Sequence, residues 1–229
     1  IHGWLVEDWR RLDKKWSTDV VTTVVLVRHG ETEWNRLGRI QGHADSNLTP
    51  IGIRQARAIG EMLGGQTFDH MVSSDLGRAL HTARLIAPNI GQKVHLEPRF
   101  RERGFGIAEG KTYAQIDQEF PEMFSRMRDT DPEYAAPGGE SRRQFHDRIC
   151  SVMDDYADRH RGMSLLVVTH GGVLAAMYRR LMRLPIASPH KIEIPNAGYN
   201  CLCHEADTWR IQTWGDVTHL TQRTDSEGI

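Results

Sequence analysis

Two stretches of this chain are apolar or β-branched almost throughout. Residues 20–27 and 164–169 show no alternation of polar and apolar positions, so each predicts a strand buried on both faces of a sheet. Between and after them, apolar positions spaced three and four apart predict helices. Thr49-Pro50 opens one, with a capping hydroxyl and a proline in the first turn. It runs to about Leu63, before Gly64-Gly65. Short strands are expected over 68–73 and 94–97, around a helix over 76–87 that stops at Pro88. Residues 112–130 read as helical with a break near Pro121, and 131–139 as a Pro/Gly loop. A helix over 140–160 gathers Phe145, Ile149, Val152, Met153 and Tyr156 on one side. After the second apolar strand come a helix over 172–182 and strands over 191–194, 199–204 and 208–214. Strands alternating with helices predict an α/β fold of three layers, α/β/α, with a mainly parallel central sheet flanked by helices. No internal repeat or linker divides residues 20–215, which therefore read as a single domain, followed by a loose tail over 216–229.

Residues 1–19 stand apart. Leu5, Trp9, Leu12 and Trp16 recur at spacings of four, three and four, which predicts an N-terminal helical extension with one apolar face. Three of the six tryptophans lie in this segment, and such a row is costly to leave bare. The face is expected to dock on its own domain; the second reading is a contact with a partner or with a second copy in a homodimer.

Composition changes this picture little. The 29 Lys and Arg nearly cancel the 30 Asp and Glu, which leaves no electrostatic footprint for nucleic acid or for an anionic membrane. No apolar run approaches the ~20 residues of a membrane span. Three cysteines are too few for a disulfide framework and fit a reducing, cytoplasmic compartment. Cys201-Leu202-Cys203-His204 lacks the second ligand pair of a zinc site and reads as a strand.

The candidate chemistry sits at the ends of the two apolar strands. Leu26-Val27-Arg28-His29-Gly30 and Val167-Val168-Thr169-His170-Gly171-Gly172 share one form: buried strand, then histidine, then glycine. In open α/β sheets, ligands bind beyond the carboxyl ends of strands, so both histidines are expected to face one pocket. A neutral imidazole can attack phosphorus if its other nitrogen donates to a backbone carbonyl. Arg28 offers forked donors that match phosphate oxygens. Arginines and a second, protonated histidine are suitable clamps for a phosphoryl group. The leaving alkoxide then needs a proton, best given by a carboxylic acid.

Arg28-His29-Gly30-Glu31-Thr32 resembles the signature of the histidine phosphatase superfamily, in the branch that includes the cofactor-dependent phosphoglycerate mutases. Further motifs follow in the family's order: Asn35, Gln41-Gly42, Leu48-Thr49, Ser73-Ser74-Asp75-Leu76-Gly77-Arg78-Ala79, Arg101-Glu102-Arg103-Gly104-Phe105-Gly106, Gly138-Gly139-Glu140-Ser141 and Thr169-His170-Gly171-Gly172. Any one is weak; the ordered set over residues 24–200 is specific. The resemblance implies a phosphoglycerate mutase-like fold, with His29, Glu102 and His170 catalytic. It assigns Arg28, Arg78, Asn35, Gln41, Gly42 and Gly171 to phosphate or substrate binding. His29 would be phosphorylated, Glu102 would serve as acid and then as base, and no metal or other cofactor would be needed. The partner implied is a small phosphorylated metabolite.

Within that family, hydrolysis and mutase chemistry would share one pocket. The classical mutases carry a longer insertion after the acid motif, a tyrosine, a lysine and a paired-arginine motif. Here Phe105 takes the tyrosine's place and Tyr113 stands near the lysine's, while Arg126-Met127-Arg128 only loosely matches the arginine pair. A phosphomonoester hydrolase is therefore expected, with a 2,3-bisphosphoglycerate-dependent mutase as the alternative and a non-catalytic phosphate-binding module as the second alternative. Phe105, Tyr113, Phe120, Met123, Phe124 and Met127 suggest a partly apolar lid, or else simply pack the lid's own helices. An NTP-binding loop ending at Gly110-Lys111-Thr112 is excluded, because Phe105 occupies the place of its first glycine.

Overall fold

The structure is a computed structural model and describes residues 20–128, 131–188 and 192–221. The expected helix over 1–19 and most of the expected tail lie outside these residues. In chain order the elements are β1 (Thr22–Arg28), α1 (Glu33–Arg36), α2 (Pro50–Leu63), β2 (His70–Ser73), α3 (Gly77–Ile90), β3 (Val94–Leu96), α4 (Tyr113–Glu119), α5 (Pro121–Arg128), α6 (Arg142–Arg159), β4 (Ser164–Thr169), α7 (Gly171–Leu181), β5 (Tyr199–Glu205), β6 (Thr208–Asp216) and α8 (Thr218–Thr221).

The strands form one sheet in the order β3-β2-β4-β1-β5-β6. The first four run parallel, and β5 and β6 complete one edge antiparallel. β1 and β4, the two apolar strands, lie side by side at the centre. Alternate residues of each go to opposite faces. Val24, Leu26, Leu165 and Val167 pack against α6 and α7 through Phe145, Ile149, Val152, Met153, Leu174 and Met177. Val25, Val27, Leu166 and Val168 pack against α2 and α3 through Ile59, Leu63, Ala79, Ala83 and Ile86. With both faces covered, the middle of each strand (Val24–Val27 and Leu165–Val168) is apolar throughout, and the three layers follow.

Some element boundaries differ from the sequence reading. α3 continues through Pro88 to Ile90. Proline there forgoes only one hydrogen bond in the last turn, while Ile86 stays buried against the sheet. No strand forms over 192–194; the Ile194 carbonyl instead accepts from Arg28. Residues 218–221 form α8 where a loose tail was expected.

The segment after the acid motif folds into a small unit of its own. Ile40, Ala108, Ile116, Met123 and Ala136 form its core, with Phe105, Phe120, Phe124, Met127 and Tyr134 packed around it. The aromatic and methionine side chains of the lid are thus largely spent on its own packing. Tyr113 is mostly exposed.

Candidate active site

Register brings the two histidines together. Arg28 of β1 pairs with Thr169 of β4 in the parallel ladder, so the next residue of each strand leaves the sheet at the same level. Both rings are buried, and their centroids are 5.3 Å apart. The turn after His29 closes because residue 30 is glycine: a Cβ there would lie 2.4 Å from the Gly52 carbonyl oxygen on α2.

His29 Nδ1 lies 2.8 Å from the carbonyl oxygen of Gly30, which can only accept. The ring proton therefore sits on Nδ1, and Nε2 carries the lone pair. The Nε–H of Arg78 donates to that Nε2 at 3.3 Å. Burial, then Arg78 and Arg28, hold the His29 pKa well below its ordinary 6.5. A neutral ring with an unprotonated Nε2 is the form that can attack phosphorus.

Arg78 is buried at the start of α3 and held from several directions. Its terminal nitrogens donate to the carbonyls of Gly42 and Ala44 and to the Asp45 carboxylate at 3.0 Å. Asp45 also accepts from the Arg78 backbone N–H, at the helix end where Leu76 supplies no side-chain cap. Arg28 donates to the Ile194 carbonyl at 2.6 Å, while its Nε is buried without a partner among the described residues. Burial pushes the Arg28 guanidinium below its ordinary value; Glu102 opposes that shift and Arg78 adds to it.

His170 stands at the N-cap position of α7, with Nε2 2.8 Å from Ser74 Oγ and Nδ1 buried without a partner among the described residues. Burial, then Arg78, His29 and Arg28, keep its pKa well below 6.5. Burial and the surrounding cations thus favour the neutral ring of His170, and an oxyanion would act in the opposite direction.

Glu102 reaches the pocket from the loop before the lid. Its carboxylate accepts from the backbone N–H of Gly172 in the first turn of α7 and from that of Arg103, both at 2.8 Å. A Cβ at position 172 would lie 2.0 Å from Glu102 Oε1, so glycine is what admits the carboxylate there. Gly171 sits beside the Arg28 guanidinium, where a Cβ would be 3.4 Å from Nε, an ordinary contact.

Asn35 and Gln41 also make contacts within their own loop. Asn35 closes a capping box with Thr32 around α1. Gln41 is buried and accepts from Ser46 Oγ at 3.3 Å. Gly42 contributes a carbonyl that holds Arg78. The structure also adds residues that the sequence reading did not single out. Asn196 donates to the His29 carbonyl at 2.8 Å, and Asp45 holds Arg78. Arg148 of α6 donates to the carbonyls of Arg99 and Arg101 and pairs with Glu140, which fixes the loop that carries Glu102. Only the uncapped start of α3 hinted at Asp45; nothing local marks Asn196 or Arg148. Among the described residues, no three His, Cys, Asp or Glu side chains form a group that could hold a metal ion.

The sequence profile of the histidine phosphatase superfamily (branch 1) matches residues 24–217. The chain is 39% identical over 228 residues to a metal-independent phosphoserine phosphatase of Arabidopsis thaliana, covering 96% of this chain and 93% of that one. It is 38% identical to phosphoglycerate mutase-like protein 4 of the same plant, over 87% of each chain. Its fold is similar to the crystal structure of a phosphoserine phosphatase from Entamoeba histolytica in complex with 3-phosphoglyceric acid. The TM-score is 0.77 at 29% identity, with 87% of this chain and 99% of that one covered.

Proposed function

The chain belongs to the histidine phosphatase superfamily, and from that premise we propose that it hydrolyses small phosphomonoesters through a phosphohistidine on His29. One observation carries the reading. A neutral His29, with its proton committed to Gly30, meets Arg28, Arg78 and His170 at the end of the sheet, and the Glu102 carboxylate closes the other side.

In the first step, His29 Nε2 attacks phosphorus and the P–O ester bond breaks, its electrons passing to the leaving oxygen. Glu102 gives that oxygen a proton and the alcohol departs. Arg78 donates beside Nε2, so an oxygen of the phosphoryl group can take that donor as the P–N bond forms. Arg28 and His170 supply further donors for the charge on the phosphoryl oxygens. In the second step, Glu102 takes a proton from water, the water oxygen attacks phosphorus, and the P–N electrons return to Nε2. Phosphate leaves and the site is restored.

A mutase would have to exclude that water and return the phosphoryl group to a second hydroxyl. The similarity to a phosphoglycerate mutase-like protein keeps this second reading in view, while Phe105 and the exposed Tyr113 stand where a classical mutase has polar donors. The two separate in one assay run without added metal. Phosphate release from a panel of phosphorylated sugars, sugar acids and amino acids is measured beside phosphoglycerate isomerisation, with and without 2,3-bisphosphoglycerate. Release is expected to outpace isomerisation. Isomerisation that needs the bisphosphate and exceeds release would assign the mutase instead.

A further inference from the structure

One ring nitrogen of His170 meets Ser74, and the other meets no polar group among the described residues. Nε2 lies 2.8 Å from Ser74 Oγ, while Nδ1 is buried and unpartnered. Sheet register sets up the first contact. Ser73 of β2 pairs with Val168 of β4, and the Ser74 backbone N–H donates to the Val168 carbonyl. The serine therefore leaves β2 beside the strand end that carries His170. Both side chains are fully buried, so neither can turn to bulk solvent instead.

This pair allows two proton placements. In one, Nε2–H donates to Ser74 Oγ. That oxygen's other contact among the described residues is the Leu76 backbone N–H, which also donates to it, at 3.4 Å. The hydroxyl proton would then have no acceptor. In the other, the Ser74 O–H donates to Nε2 and the ring proton sits on Nδ1. Each atom of the contact is then satisfied, and Nδ1–H is left as a spare donor.

That donor has company. Arg28 Nε is also buried without a partner among the described residues, and it lies close to Gly171, the residue after His170. The His29 ring, with the proposed nucleophile, has its centroid 5.3 Å from that of His170. Two unsatisfied buried donors are unfavourable until an acceptor joins them, and a phosphoryl group brings several lone pairs. A bare Nδ1 would instead set its own lone pair against those oxygens. Burial and the arginines favour the neutral ring, so its tautomer decides whether His170 can donate to an oxyanion.

We infer that Ser74 is a positioning residue: its O–H donates to His170 Nε2, fixes the ring proton on Nδ1 and so makes His170 a donor to the phosphoryl oxygens. The inference rests on the hydrolase reading only for what occupies the pocket; the place of the proton is a property of the free protein.

The protein is labelled with ¹⁵N-histidine, and two-bond ¹H–¹⁵N correlation spectra at pH 7.5 show which nitrogen of each ring carries the proton. A His170→Gln spectrum identifies the His170 signals. The wild type is expected to show Nδ1–H and a bare Nε2. Ser74→Ala is expected to move the proton toward Nε2, and Ser74→Thr, which keeps the hydroxyl, to hold it on Nδ1. Inorganic phosphate, measured by calorimetry, is expected to bind Ser74→Ala about tenfold more weakly than the wild type, the scale of one hydrogen bond to a charged group. Nε2–H in the wild type overturns the inference whether or not a variant folds. So does a proton position or a phosphate affinity that Ser74→Ala leaves unchanged. The expected spectra and affinities in a protein that turns over no phosphomonoester would uphold the inference and remove the hydrolase.

Discussion

At the scale of single residues, the two buried histidines set the electrostatics of the pocket. Burial and the two arginines hold both pKa values well below 6.5. An unfolded chain would take up protons on both below pH 6.5, while the folded chain does not. Stability that depends on neutral His29 and His170 is therefore full above about pH 6.5 and is lost as the pH falls toward the folded values. Urea unfolding at pH 7.5 and pH 5.0 is expected to show this loss in the wild type. A His29→Gln/His170→Gln double variant is expected to lose less between the same two values. A loss as large in the variant would mean that other groups govern the acid limb. The residues named here were legible in the sequence because histidine-glycine after a buried strand makes poor packing and good chemistry. The lowered pKa of His170 was not legible, since it depends on burial in the assembled fold and on Arg78 arriving from α3. Asp45, Asn196 and Arg148 were hidden for the same reason: each acts through a partner distant in sequence.

At the scale of elements, the start of α7 does two things at once. It sets His170 at its N-cap position beside His29, and the Gly172 N–H holds Glu102. A Cβ at 172 would overlap the carboxylate, so Gly172→Ala is expected to displace the proposed acid while the helix itself remains. Turnover of an alkyl phosphomonoester should fall about 100-fold, the low end of general-acid contributions. p-Nitrophenyl phosphate, whose leaving group needs no proton, should lose far less. Equal losses on both esters would point to a damaged fold or to a different donor. The glycine pair after His170 was visible in the sequence, but its purpose needed the approach of a loop some 70 residues away in the chain. Element types were read well wherever burial on two faces or a capping residue imposed the pattern. Boundaries failed where tertiary packing decided, as at Pro88, where the sheet keeps α3 going past a residue that would end an isolated helix.

At the scale of the whole molecule, parallel pairing of β1 and β4 is what turns two separate motifs into one site. The strands were predicted from their apolar runs, and the three-layer arrangement followed from covering both faces. That they are neighbours, in a register that sets both histidines level, is a property of the sheet order β3-β2-β4-β1-β5-β6. The contact between Ser74 and His170 likewise exists only in the assembled fold, since the two are 96 residues apart in the chain. The lid's aromatic residues, conspicuous in the sequence, pack mainly around the lid's own core. The proposed mechanism passes through one covalent species, and trapping it tests the account most directly. The protein is mixed with a ³²P-labelled phosphomonoester, quenched in base within milliseconds and digested for mass spectrometry. The account predicts acid-labile, base-stable phosphate on His29, absent from His29→Ala together with turnover. Label on another residue, or full turnover by His29→Ala, would contradict it.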